Sequence, residues 1–116
     1  MFMTQAITIS LDLQAFYNHR FFVRRRRIAD KIFLVHLSRL FEIDELSNCI
    51  WLHCDGTKSA LQIARAVADS FADRERAEIG IITLHNLQFF LDNELITALP
   101  RKGLSYESSS GISGSS

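Results

Sequence analysis

The chain has 116 residues, of which 47% are hydrophobic, and its charged side chains balance to a net charge of zero. This length supports one hydrophobic core, and this composition excludes an intrinsically disordered chain. No apolar run approaches the ~20 residues of a membrane-spanning helix, and the first residues lack the basic start of a secretory signal. We therefore expect a cytoplasmic globular protein that does not engage a membrane.

The charge is divided unevenly along the chain. Residues 1–39 hold seven basic and two acidic side chains, whereas residues 40–116 hold six basic and eleven acidic ones. The basic part contains four consecutive arginines, Arg24, Arg25, Arg26 and Arg27. Alternate residues of a strand face opposite sides, so we interpret this run as the solvated rim of a strand that also attracts an acidic partner. A nucleic-acid-binding arm is the alternative.

The first half of the sequence predicts β-structure. Residues 6–13, AITISLDL, alternate between apolar and polar and predict a strand within an N-terminal extension, residues 1–20. Residues 14–20 fit a helical turn or a loop. Three closely spaced β-prone segments then predict an antiparallel sheet; they are residues 22–27, Lys31–His36 and Arg39–Ile43.

The second half predicts three helices. Asp44 is a candidate N-cap of the first helix, and Gly56 is expected to end it. Ser59 and Gln62 have the spacing of a capping box at the start of the second helix. Three strands followed by three helices indicate an α+β fold of the winged helix-turn-helix type. This domain is expected to span residues 21–100, followed by a disordered Ser/Gly-rich tail, residues 101–116.

The third helix is predicted from about residue 78 to residue 93, with Asn93 in the left-handed C-terminal position. A helical wheel gathers one stripe for the core, which consists of Leu84, Leu87, Leu91 and Leu95. A second stripe, on nearly the opposite side, contains Ile82 and Phe89, with His85 beside them. This second stripe is either covered by the N-terminal segment or forms a groove for a partner.

Two segments, FEIDELSNCIWLHCDGTKSALQIARAVADSF and LHNLQFFLDNELI, resemble the PqqD-like family of recognition elements for ribosomally made, post-translationally modified peptides (RiPPs). The resemblance covers about residues 22–97. It rests on Asp44, Ile50-Trp51, Asp55-Gly56, Ser59 and Glu94-Leu95-Ile96, with Glu94 where the family usually has glycine.

The resemblance implies a peptide-binding module without catalysis or a cofactor. Such a module binds the leader of a precursor peptide as an added strand and presents the peptide to a modifying enzyme, such as a radical SAM enzyme, a leader peptidase or a cyclase. The leader would add to the third strand beside the third helix; the residues expected to bind it are Arg39, Leu40, Phe41, Glu42, Ile43, Ile82, His85, Asn86 and Phe89. An open strand edge also allows a homodimer.

The sequence favours two other functions less than peptide binding. The winged helix is also a DNA-reading or transcription-regulatory fold, but residues 79–96 contain no lysine or arginine to contact phosphates. His53, Cys54 and Asp55 are adjacent and, on a helix, point in different directions, so they do not form a nucleophile–base pair. Cys49 and Cys54 lack the spacing of a zinc site.

Overall fold

A computed structural model of the protein describes residues 11–99. It contains three helices and two three-stranded antiparallel sheets, with strand orders β5-β1-β6 and β2-β3-β4. The α+β class with a three-stranded sheet followed by three helices is confirmed. The elements are β1 Phe16–His19, β2 Arg24–Ile28, β3 Lys31–His36, β4 Arg39–Ile43, α1 Glu45–His53, β5 Asp55–Ser59, α2 Ala60–Ser70, α3 Arg76–Asp92 and β6 Ile96–Leu99.

The β2-β3-β4 sheet is a meander of two hairpins, and its strands lie close to where the sequence predicted them. Ile28 pairs with Lys31, and His36 pairs with Arg39, so each turn has two residues. The first residue of each turn, Ala29 and Leu37, has a positive φ, of 55° and 56°. This is the backbone of a type II′ turn, whose twist suits a tight hairpin.

The register of this sheet decides which side chains reach the core. Ile32, Leu34 and His36 are buried on one face of β3, whereas the intervening Phe33 and Val35 are only half-buried. One face of the sheet therefore packs on the body of the protein and the other is open to solvent, as antiparallel sheets allow.

The β5-β1-β6 sheet was not predicted. The sequence predicts a helical turn or a loop over residues 14–20, but Phe16–His19 form β1, which pairs with β5 on one side and β6 on the other. Tyr17 anchors this strand, because its ring is fully buried and its hydroxyl donates to the Asp12 carbonyl at 2.7 Å. Most of the predicted strand over residues 6–13 and all of the tail over residues 101–116 lie outside the described residues.

The helix starts follow the capping signals, but two of the predicted ends are wrong. The Asp44 side chain accepts from the Ser47 amide, and the Ser59–Gln62 capping box is present. Helix α1 ends at His53, ahead of Gly56, which lies inside β5 at a φ of 87°. A Cβ at this glycine would approach side-chain atoms of Asn18 to 3.3 Å.

The left-handed residue after α3 is Glu94, with a φ of 62°, whereas Asn93 keeps a φ of −98°. Glu94 thus adopts the left-handed conformation that glycine adopts without steric cost. A side chain in this region costs about 1–2 kcal/mol relative to the right-handed one. The Leu95 amide offsets part of that cost by donating to the Phe90 carbonyl at 2.8 Å.

The core stripe of α3 is rotated from its predicted position. Its fully buried side chains are Ile79, Thr83, Leu87 and Phe90. Two leucines of the predicted stripe, Leu84 and Leu91, are only half-buried. The rotation follows from the packing of Phe90 edge-on against Trp51 of α1, at 5.8 Å between ring centroids. Within residues 11–99, no helix is both long and apolar enough to cross a membrane.

Candidate peptide-binding groove

An open groove of about 670 Å³ lies where β4, the start of α1 and the second half of α3 meet. Strand β4 runs directly into the N-cap of α1, and α3 crosses beside both elements. A strand edge and a helix surface thus lie side by side, as expected from the sequence for the third predicted strand and the third predicted helix. The lining residues, which define the groove below, are Glu42, Ile43, Asp44, Ser47, His85, Asn86, Phe89 and Phe90.

Strand β4 presents its main chain to solvent on the side away from β3. Because His36 and Arg39 flank a two-residue turn, they form a hydrogen-bonded pair, and alternate pairs along an antiparallel ladder then follow the same pattern. Arg39, Phe41 and Ile43 therefore bond to β3. The amides and carbonyls of Leu40 and Glu42 point outward, and we call these groups the open edge. Among residues 11–99, no strand pairs with them.

Aromatic rings form the apolar wall of the groove. The Phe89 ring meets the Phe41 ring edge to face, with centroids 5.9 Å apart, so the strand and α3 touch through this pair. Phe89 is 44% exposed, whereas its neighbour Phe90 is fully buried. Phe89 thus offers an apolar surface to a ligand while Phe90 supports it from the core.

Hydrogen-bonded polar groups form the other wall. The Ser47 hydroxyl donates to Asn86 Oδ1 at 2.7 Å, and the side-chain Nδ2 of Asn86 donates to the Ile82 carbonyl at 3.2 Å. Asp44 is engaged in capping α1 through one carboxylate oxygen. These side chains already have hydrogen-bond partners within the protein, so the open edge and the aromatic wall are the main groups that remain for a ligand to contact.

The structure brings together five of the nine residues predicted to bind peptide, and they line the groove: Glu42, Ile43, His85, Asn86 and Phe89. Phe41 reaches it through its ring contact with Phe89. Arg39 lies at the far end of β4, where its guanidinium donates to the Asn93 carbonyl at 2.6 Å. Leu40 contributes through the open edge, and Ile82 packs half-buried against the core.

Three lining residues were missed in the sequence. The sequence assigned Asp44 only a helix-capping role and Ser47 no role, although a strand that ends in a helix start necessarily carries that start to its own edge. Phe90 was missed because the wheel placed the core stripe around the leucines. The available signal was a second phenylalanine beside Phe89. Adjacent residues of a helix point about 100° apart, so one of the two rings can face the core while the other faces the groove.

The four arginines behave as rim residues of β2, and all five residues of that strand are exposed. Arg27 forms an ion pair with Glu45 at 3.4 Å on the side of the helices. Arg24 and Arg26 project from the opposite, solvent-facing side of the sheet, because they pair across it with Val35 and Phe33. The two pairs of arginines thus serve different surfaces.

Cys54 does not have the properties of a nucleophile. Burial raises the pKa of its thiol to about 12, which keeps it protonated at neutral pH. The pKa of the neighbouring His53 is lowered, chiefly by desolvation and then by Lys58. Within the described part of the chain, no three His, Cys, Asp or Glu side chains converge in a way that could hold a metal ion.

The sequence matches no protein-family model and no curated protein. The fold, however, matches the solution NMR structure of a PqqD truncation of Methylobacterium extorquens PqqCD, described as a functional, stand-alone RiPP recognition element. The match has a TM-score of 0.63 and 20% sequence identity, and covers 77% of this chain and 96% of that one. The predicted resemblance is thereby confirmed in the fold: this chain has the architecture of a PqqD-like recognition element.

Proposed function

We propose that the protein binds the leader segment of a ribosomally made precursor peptide by strand addition and presents the peptide to a modifying enzyme. The observation that carries this proposal is the open edge of β4 beside the groove. The description of the structural neighbour as a functional, stand-alone RiPP recognition element supports it.

An extended peptide would use the two features of this site in different ways. Its main chain would bond to the amides and carbonyls of Leu40 and Glu42, which gives affinity for any extended segment. Every second side chain would turn toward α3, where Phe41 and Phe89 form an apolar contact surface. The main chain thus supplies binding and the aromatic wall supplies selectivity.

DNA recognition receives no such support. The only cation in α3 is Arg76, at its first position, and this side chain is paired with Asp69 at 2.9 Å. Two carboxylates add negative charge near this surface: Asp44 lines the groove, and Asp92 is the last residue of α3. A helix that reads the major groove needs cations toward the phosphates, so this surface suits a peptide rather than a duplex.

The test is an NMR titration of the labelled full chain with a synthetic leader of a precursor peptide encoded near it. We expect the largest amide shifts over residues 40–44 and 85–90, and clearly smaller shifts with a scrambled peptide of the same composition, which keeps the main-chain pairing but loses the side-chain match to the aromatic wall. Equal shifts with the scrambled peptide, or shifts confined to other regions, would contradict the proposal. Tight, sequence-specific binding of duplex DNA would favour a regulatory protein instead.

A further inference from the structure

The solvent-facing side of the β2-β3-β4 sheet carries an apolar surface that the groove does not use. The register places Val35 and Leu40 side by side, with Phe33 in the neighbouring row and Ile28 at the end of β2. Leu40 is 60% exposed and Ile28 is 59% exposed. Phe33 and Val35 are half-buried. Outward positions of an antiparallel sheet are usually polar, so four apolar side chains that are exposed or half-buried there indicate a contact surface.

Cations border these side chains. Arg24, Arg26 and Lys31 project on the same side of the sheet. Among the residues of β2, β3 and β4, Glu42 is the one carboxylate on that side, and it lies 3.9 Å from Lys31. We call this surface, four apolar side chains with their charged border, the outer face. Arg24 and Arg26 form no ion pair with any residue between 11 and 99.

We propose that the outer face docks a folded partner protein with an acidic border around an apolar patch, and that this partner is the peptide-modifying enzyme. The inference rests on the proposed function, because it assigns a surface to the enzyme that receives the peptide. An apolar centre with a polar rim is the usual anatomy of a protein interface. The unpaired arginines specify the charge of the partner's border, and complementary charge speeds encounter and fixes orientation.

Two other occupants fit the outer face less well. Nucleic acid would satisfy the arginines but would leave Phe33, Val35, Leu40 and Ile28 without an apolar partner. A second copy of this chain would bring another three cations and one carboxylate against the same set. Such a symmetric contact concentrates like charge, whereas an acidic enzyme surface neutralises it.

The outer face and the groove are compatible with simultaneous binding. The groove is bounded by α1, α3 and the open edge of β4, whereas the outer face is the side of the sheet that points away from the helices. A leader strand beside β4 would extend the sheet without covering Phe33 or Val35. The protein can therefore bind the peptide at the open edge of β4 while it binds the enzyme through the outer face.

The test compares Ile28→Glu on the outer face with Leu61→Glu on α2. Both change one exposed aliphatic side chain to glutamate, so they alter the net charge equally. The probes are the purified peptide-modifying enzyme encoded beside this chain and the synthetic leader, measured by surface plasmon resonance with the full chain. We expect Ile28→Glu to weaken enzyme binding by about tenfold or more, mainly through faster dissociation. Leader affinity should stay unchanged, and Leu61→Glu should alter neither.

Val35→Thr provides a second variant that keeps the β-branched shape, and it should also weaken enzyme binding. Equal effects of Ile28→Glu and Leu61→Glu, or no effect of the outer-face variants, would overturn the inference while leaving leader binding intact. If the unaltered chain does not bind the leader, the proposed function itself is overturned. A dimer that Ile28→Glu converts to a monomer, or duplex DNA binding that it abolishes, would assign the outer face to another occupant.

Discussion

The two edges of the β2-β3-β4 sheet differ in what stands beside them. Both have unpaired main-chain groups among residues 11–99, because β3 occupies the centre. Strand β2 carries four arginines and contributes no residue to the groove, whereas β4 lies beside the aromatic wall of α3. Main-chain availability is therefore common to both edges, and the adjacent helix surface is what distinguishes the candidate site.

The arginines explain why the β2 edge can remain unpaired without harm. Like-charged side chains along an edge oppose the approach of another strand, which protects a sheet from aggregation. Arg25 and Arg27 also direct their main-chain groups outward, as the alternation from the Ile28–Lys31 pair requires. An incoming strand would thus meet cations at the positions where it must bond. On β4, the corresponding outward residues are Leu40 and Glu42, and only one of them is charged.

Proline substitution tests this comparison most strongly. Glu42→Pro removes an outward amide of β4, and Arg25→Pro removes an outward amide of β2, so neither should break a bond to β3. We expect Glu42→Pro to weaken leader binding by roughly 1–3 kcal/mol, because it deletes a main-chain donor and obstructs the added strand. Arg25→Pro should have a much smaller effect on leader affinity, because it removes one of four positive charges on β2 and no group that bonds to the leader. Isothermal titration calorimetry would measure the affinities.

Phe41→Pro is the control that tests which alternate residues of β4 bond to β3 and which face the open edge. Its amide bonds to β3, so this variant should lower the melting temperature, whereas Glu42→Pro should not. If Phe41→Pro and Glu42→Pro destabilise the fold equally, the assignment of the open edge is wrong.

Truncation of the aromatic wall is the next largest expected effect. Phe89→Ala should weaken leader binding by about 1–2 kcal/mol, the loss of one apolar anchor. It should cost less stability than Phe90→Ala, since a fully buried phenylalanine costs about 3–5 kcal/mol on truncation. Chemical denaturation and leader titration of both variants would separate the two roles. Unfolding of the Phe89→Ala variant, or unchanged leader affinity, would place Phe89 in the core instead of the groove.

The parts of this comparison that the sequence predicted correctly depend on local signals. Strands Lys31–His36 and Arg39–Ile43 follow from short β-prone runs separated by two-residue turns. Asp44 and the Ser59–Gln62 box bond to amides three residues away, so adjacent sequence suffices to identify these caps. The expected position of the site, beside the third strand and the third helix, rested instead on the family resemblance and on the second apolar stripe of the helix.

The unpredicted parts depend on distant partners. Phe16 pairs with Ser59 and with Leu99, so β1 exists only through residues far along the chain. The rotation of α3 has a similar cause. Apolar residues surround much of this helix, and its orientation is decided by contacts such as that of Phe90 with Trp51. A helical wheel does not contain that information.

Self-association should also distinguish the two edges. The open edge of β4 is free to pair with a second copy, whereas the arginines should prevent the same at β2. We expect weak, concentration-dependent dimerisation in analytical ultracentrifugation that a saturating leader peptide and Glu42→Pro both suppress. Arg25→Pro should leave the dimer unchanged. A strict monomer at high concentration, or a dimer that the leader does not displace, would count against an accessible β4 edge.

Charge reversal of the arginines should have the smallest effect. Arg25→Glu with Arg27→Glu should slow association of an acidic leader about two- to tenfold at low salt and flatten its salt dependence, because steering acts over roughly a Debye length. The fold should survive, since the exposed Arg27–Glu45 pair contributes about 0–1 kcal/mol. The matched control is Arg24→Glu with Arg26→Glu, which changes the net charge equally from the other side of the strand.

Stopped-flow fluorescence at several salt concentrations would measure both pairs. Equal slowing by the two pairs is the expected result for long-range steering, in which β2 attracts the peptide electrostatically while β4 binds it. Slowing by the Arg25 and Arg27 pair alone would show local contact with the leader, because Arg27 lies beside the start of α1. If neither pair changes the association rate or its salt dependence, the arginines do not attract the leader. Their role is then only to prevent strand pairing at the β2 edge, whereas the β4 edge binds the leader.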